Sequence, residues 1–254
     1  MKAPAKINLA LVVGPRRHDG MHEVATVLQR VELADDIELE PAERTEIEGF
    51  AEDTLVREAL RALGVTAAVT IEKRIPVAAG LGGGSSNAAT TLRLANELRD
   101  EPVGPSTLHE VALALGADVP FFLREGPQLG LGTGADLSEV ALPQEYWVVL
   151  VLPAGASKSS TKAVYDAFDS ESGFEGRRDA LLAALDAGDL AALPPNDLAS
   201  SPIARDLLAA GAFRADVSGA GPTVYGLFTE QDRAEEAREL MAPRGATWIT
   251  RPAW

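Results

Sequence analysis

The chain has 254 residues, 46 % hydrophobic and 24 % charged, with 23 Lys+Arg against 38 Asp+Glu and a formal net charge of −15. A balance this acidic argues against a nucleic-acid backbone or an anionic membrane surface as the main partner, since both need a basic face. The lack of Cys excludes disulfides, thiolate-bound zinc, iron–sulfur clusters and thiol nucleophiles, and three scattered His residues give no His-rich metal site, so the reading is a cytoplasmic protein.

The opening stretch MKAPAKINLALVVG has an apolar run over 7–13 too short to span a bilayer, and reads as a buried strand over 5–14. A second strand is expected over 24–40, where DIELE alternates at period two. Apolar residues at helical spacing predict a helix over 54–63, and the alternation AVTIEK predicts a strand over 68–73. Residues 80–86 are almost all Gly and Ser, and an Ala/Leu-rich helix is expected from 87 to 100. A further helix should run from an N-cap at Ser106 to a stop at Gly116, followed by a Gly-punctuated loop or hairpin over 126–136. An apolar strand over 146–152, helices over 161–169, 176–187 and 203–211, a strand over 224–228 and a helix over 230–241 complete the pattern. Strands and helices mix without a strict βαβ rhythm, which favours α+β, with two halves of 1–144 and 145–254.

The strongest local signal is PVAAGLGGGSSNAA at 76–89. Successive glycines can turn several backbone N–H groups toward one point, and a helix starting beside them adds unpaired N–H groups and the positive end of its dipole. Such a nest holds phosphate without a basic side chain. It is neither a Walker A loop, which needs Gly-Lys-Ser/Thr, nor the dinucleotide fingerprint, whose sixth position here is Ser85. The competing reading is a glycine turn that only lets a strand and a helix pack closely.

Two charges stand in apolar settings. Lys6 lies within the first strand with Asn8 on the same face, and is either buried with a partner or reaching from a strand end to water. Asp118, in LGADVPFF, is either a turn or cap residue or a carboxylate with chemistry to do. Beside a phosphate nest, an ammonium and a carboxylate make a coherent site, because phosphoryl transfer to an alcohol needs positioning, charge stabilisation and an acceptor for the hydroxyl proton. VSGAGPTV at 217–224 is either a tight hairpin turn or a second glycine loop that brings backbone close to substrate.

PVAAGLGGGSSNAA resembles the ATP loop of the GHMP kinase superfamily, and VSGAGPTVYGLF resembles its C-terminal glycine motif. APAKINLALVVGPRRHDGMHEVAT, EKRIP, LGADVPFFL and Asn196-Asp197-Leu198 extend the likeness over the whole chain, toward members acting on a cytidine-diphosphate-linked methylerythritol. The resemblance implies transfer of the ATP γ-phosphate to that substrate's 2-hydroxyl, with Asp118 as base and Lys6 orienting the hydroxyl. It implies ATP contacts from Leu55, Lys73 and the loop Gly80, Leu81, Gly82, Gly83, Gly84, Ser85 and Ser86, with Mg2+ as cofactor and Ser86 the hydroxyl nearest to it. Substrate contacts fall on Asn8, Met21, His22, Thr161, Tyr165, Gly219 and Gly221, and Lys158 and Lys162 flank Thr161.

The fold implied is a domain like the second domain of ribosomal protein S5 followed by a ferredoxin-like domain, as a monomer or weak homodimer. Two positions depart from the pattern: Met21 replaces a Tyr that covers the cytosine, and Thr54 replaces an Asn that reads adenine. The alternatives are a GHMP kinase for another small alcohol and a non-catalytic nucleotide or metabolite sensor on the same fold.

Overall fold

The computed structural model describes residues 1–50, 52–156, 161–168 and 173–253. Lys158 lies outside them. Two compact units alternate along the sequence: one comprises Met1–Ala5, Leu33–Val77 and Gly82–Glu125, the other Lys6–Glu32, Ala78–Leu81 and Gly126–Trp254. The first strands, β1 (Lys2–Arg16) and β2 (His22–Pro41), pair with each other, and each contributes residues to both units.

The first unit continues with β3 (Glu46–Glu48), α1 (Thr54–Leu63), β4 (Ala67–Glu72), α2 (Gly83–Glu97), α3 (Pro105–Leu115) and α4 (Val119–Phe122). β4 runs antiparallel to the end of β2, from Asp36↔Glu72 to Pro41↔Ala67, and parallel to β3. α1 has the expected bounds because both its ends carry strong signals. Asp53 accepts the Val56 N–H at 3.2 Å, and Gly64 closes the helix at φ 65°. Val56, Ala59, Leu60 and Leu63 form its buried stripe.

α2 touches α1, α3 and α4. Its residues from Ser86 to Leu92 are all buried, and their small side chains allow that close approach. It starts at Gly83, earlier than its sequence suggests, because Gly83 and Gly84 are poor helix formers held by their surroundings. α3 likewise starts at Pro105 after Gly104; Ser106 is inside the helix and is not its cap.

In the second unit, the hairpin β5 (Gln128–Leu131) and β6 (Asp136–Glu139) adds to the beginning of β2 through Thr26↔Gly130 and Leu28↔Gln128. There follow β7 (Trp147–Pro153), α5 (Thr161–Asp166), α6 (Phe174–Asp186), α7 (Pro202–Ala209), β8 (Arg214–Val217), β9 (Val224–Phe228), α8 (Gln231–Met241) and β10 (Gly245–Thr250). The last four strands form an antiparallel sheet in the order β10-β7-β9-β8. Helices before β8 and before β10 give this sheet the ferredoxin-like connection.

β7 is an interior strand, which explains its unbroken apolar run. Val149 and Val151 pack with Ile203 and Leu207 of α7 and with Ala234, Ala237 and Met241 of α8. No helix among the described residues is long and apolar enough to cross a membrane.

Candidate active site

In the second unit, β1 carries Lys6 into the interior, where it is 5 % exposed. An ammonium reaching from a strand end to water is therefore not what the chain builds. Lys6 Nζ donates to Asn8 Oδ1 at 2.6 Å, Asn8 Nδ2 donates to Thr26 Oγ1 at 2.8 Å, and Thr26 Oγ1 donates to the Ala10 carbonyl at 2.8 Å. The relay fixes which way the Asn8 amide faces, so that its oxygen stays on the ammonium. β1 is braced just beyond: the Leu9 carbonyl accepts from Arg214 Nε at 2.9 Å and from Tyr225 Oη at 3.0 Å. Burial pushes the Tyr225 hydroxyl up to about 12, so it remains a donor to that carbonyl across the neutral range.

The part of the glycine loop in this unit is tied on two sides. The Leu81 carbonyl accepts the Lys6 N–H at 2.9 Å, and the Ala79 carbonyl accepts the Thr223 N–H at 3.2 Å. Ser218 Oγ donates to the Gly80 carbonyl at 3.1 Å and accepts the Asn8 N–H at 3.4 Å. Gly80 has φ +82°, and a Cβ there would lie 2.7 Å from the carbonyl oxygens of both Ser218 and Gly221. A Cβ on Gly219 would lie 3.1 Å from Asn8 Oδ1 and 3.5 Å from Lys6 Nζ. The segment 217–224 is thus the β8–β9 hairpin turn, and its Gly219 backbone forms a wall beside Lys6.

Asn196 secures that wall. Its Nδ2 donates to the Val217 carbonyl at 2.8 Å and to the Gly219 carbonyl at 2.6 Å. Its own N–H reaches Asp216, whose carboxyl is pushed up by burial and drawn down by the N–H groups of Asn196 and Val217. Ser218 and Asn196 were not singled out as site residues by sequence reasoning. The available signal was their place in the two motifs SGAGPT and NDL.

Also in this unit, His22 Nδ1 lies 2.8 Å from the Gly14 carbonyl. A carbonyl only accepts, so Nδ1 carries a proton, and in the neutral ring Nε2 is the acceptor. Nε2 is buried with no hydrogen-bond partner among the described residues. The Tyr165 and Phe168 rings each stand 5.9 Å from the imidazole centroid, tilted and edge-on respectively. Both pack against Leu11, Val13 and Val24. Met21 is 47 % exposed at the end of the β1–β2 turn, and Thr161 opens α5 on an exposed face, with no hydrogen bond to Asn8 among the described residues.

In the first unit, Gly82 caps α2 in the left-handed region and offers no side chain, which leaves the first-turn N–H groups for a ligand. Ser86 Oγ is buried and has no partner among the described residues. Leu55 reaches the loop, its Cδ1 3.6 Å from where a Gly84 Cβ would be. Asn87 Nδ2 donates to Asp53 at 3.0 Å, tying the α1 cap to α2. Lys73 pairs with Asp35 and stands 5.8 Å over the Phe50 ring. Asp118 is half-buried at the N-cap position of α4, yet its carboxylate makes no capping hydrogen bond. Helix capping therefore does not explain this residue.

The sequence model for the GHMP kinases N terminal domain matches residues 50–126, and that for the GHMP kinases C terminal matches residues 181–243. The 4-diphosphocytidyl-2-C-methyl-D-erythritol kinase of Syntrophus aciditrophicus (strain SB) is 37 % identical over 270 residues, covering 97 % of this chain and 95 % of the relative. The kinase of the same name from Geobacter sulfurreducens (strain ATCC 51573 / DSM 12127 / PCA) is 36 % identical over 275 residues, covering 98 % and 96 %. A crystal structure of a 4-(cytidine 5'-diphospho)-2C-methyl-D-erythritol kinase is similar with a TM-score of 0.83 at 32 % identity, covering 100 % of this chain and 99 % of that one.

Proposed function

The chain belongs to the GHMP kinase family, and within it to the 4-diphosphocytidyl-2-C-methyl-D-erythritol kinases, and from that premise we propose which of its residues carry phosphoryl transfer from ATP to the substrate's 2-hydroxyl. Asp118 accepts the hydroxyl proton as the oxygen attacks the γ-phosphorus. The bond to the bridging oxygen breaks, ADP leaves and a phosphomonoester forms. Lys6 orients the hydroxyl and balances the charge that gathers on it, and Asn8 keeps the ammonium aimed. The observation that carries this assignment is the buried Lys6 ammonium, oriented by Asn8 and set beside the Gly219 backbone.

The N–H groups at the start of α2 take the phosphates, with Gly80 to Ser86 as the loop that approaches them. Leu55 and Lys73 serve the nucleotide. Mg2+ is the ion proposed to accompany ATP, where it would spread the phosphate charge. The unpartnered Ser86 hydroxyl fits such an added ligand. The described residues contain no cluster of three or more His, Asp or Glu suited to a metal, so the phosphates and water would supply most of its ligands.

The cytidine end falls to His22, Tyr165, Met21 and the Gly219–Gly221 turn, and the methylerythritol part to Asn8 and Thr161. An acceptor at His22 Nε2 suits the exocyclic amine of cytosine. His22→Ala is expected to raise KM for the cytidylylated substrate about tenfold, with kcat changed less than about threefold, in steady-state assays at saturating ATP. The division into 1–144 and 145–254 puts one matched family segment in each domain. Cytoplasmic action as a monomer or weak homodimer completes the proposal.

The substrate assignment is tested by comparing kcat/KM for the cytidylylated methylerythritol with that for homoserine, mevalonate and galactose. A preference of at least about 10³ for the first is expected, because a site built to hydrogen-bond the cytosine leaves buried polar groups unpaired with the others. Turnover of another alcohol without turnover of the first would overturn it.

A further inference from the structure

We propose that Asp35 is a positioning residue for the nucleotide, holding the Lys73 ammonium at the first turn of α2. Asp35 lies on β2 with 0 % exposure, too deep to touch a ligand itself. Its two oxygens do different jobs. Oδ1 accepts the Arg74 N–H at 2.7 Å and the Ile75 N–H at 2.8 Å, where β4 has stopped pairing with β2 at Asp36↔Glu72. Oδ2 accepts from Lys73 Nζ. One buried carboxylate thus sets both the backbone that follows Lys73 and the end of its side chain.

The place it holds is specific. A Cβ on Gly83, the first residue of α2, would lie 2.9 Å from Lys73 Nζ. The positive end of a helix dipole repels an ammonium, and the Asp35 charge offsets that repulsion until an anion arrives. With Asp35 in place, Lys73 is already ordered when the nucleotide binds, so less side-chain freedom is lost on binding.

The inference rests on the reading of Lys73 as a nucleotide contact. The test is a double-mutant cycle of Asp35→Asn and Lys73→Met, with KM for ATP, kcat and the melting temperature measured for each protein. Asn keeps an oxygen for the Arg74 and Ile75 N–H groups but turns an uncharged amide toward Lys73. Asp35→Asn is expected to raise KM for ATP about tenfold with kcat within about threefold, and to add nothing further in the Lys73→Met background. A structural role alone would lower the melting temperature and leave KM for ATP unchanged in folded protein, or act equally with and without Lys73; either result overturns the proposal. A silent Lys73→Met removes Lys73 from the nucleotide site, and the proposal with it. Should Asp35→Asn not fold, Asp35→Glu, which keeps the charge and displaces it by one methylene, should still raise KM for ATP; an unchanged KM overturns the proposal.

Discussion

Asp118→Asn is expected to lower kcat by about two to four orders of magnitude while the dissociation constant for ATP stays within about threefold. The substitution keeps size and removes the proposed proton acceptor. The native carboxylate does not cap α4, so the helix start keeps its hydrogen bonds in the variant. What holds the position is the short helix behind it: Val119, Pro120, Phe121 and Phe122 are all buried, and the two Phe rings meet edge-on at 5.0 Å. Pro at the second helical position stiffens the segment, so Asp118 is attached to a rigid base. Steady-state turnover with the cytidylylated substrate and ATP titration by calorimetry check the two halves of this expectation. Turnover within a factor of ten of the parent would take Asp118 out of the base role.

Gly80→Ala is expected to abolish turnover and to lower stability by about 2–6 kcal/mol, combining a strained left-handed backbone with a backbone clash. The new methyl group would meet the Ser218 and Gly221 carbonyl oxygens at 2.7 Å, and neither is the end of a side chain that could swing away. Relief requires the loop to leave the 217–224 turn, which breaks the Ser218 and Thr223 bonds that set residues 79 and 80. Gly188→Ala is the control: its φ is +65°, but nothing lies within 4 Å of the added carbon. It should cost only about 1 kcal/mol and leave kcat unchanged. Thermal unfolding of both variants separates the close approach from the backbone conformation. Equal losses in the two would show that the contact with the turn is unimportant.

Sequence signals served best where they are local. α1 carries Asp53 before it and Gly64 after it, and its predicted bounds match those observed. α2 starts earlier than its sequence suggests because Gly83 and Gly84 are held by neighbours that propensity does not see, and α3 because Pro105 takes the first helical position after Gly104. β8 and β10 were not foreseen. β8 is four residues long and contains Arg214 and Asp216, two buried charged groups that read as loop in a hydropathy pattern.

The site divides the same way. The glycine loop, Lys6 and Asp118 stand out as local anomalies of composition. Asp35, Asn196 and Ser218 act through partners 20 to 210 positions away, so no window of sequence contains both members of a pair. Asp35 offered one clue, a charged residue just before the alternating part of a strand, but Asp36 beside it masks the signal.

The His22 tautomer has a consequence for inhibitor design. With Nδ1 committed to the Gly14 carbonyl, the ring presents a fixed lone pair at Nε2. A heterocycle carrying an amino or lactam N–H at that point gains a hydrogen bond that no described residue makes. One carrying a carbonyl there would set two lone pairs against each other, at a cost of about 1–3 kcal/mol in affinity. On the proposed reading of His22 as a cytosine contact, aminopyrimidine and aminopyridine scaffolds are the natural starting chemistry, ahead of any attempt to imitate the phosphates.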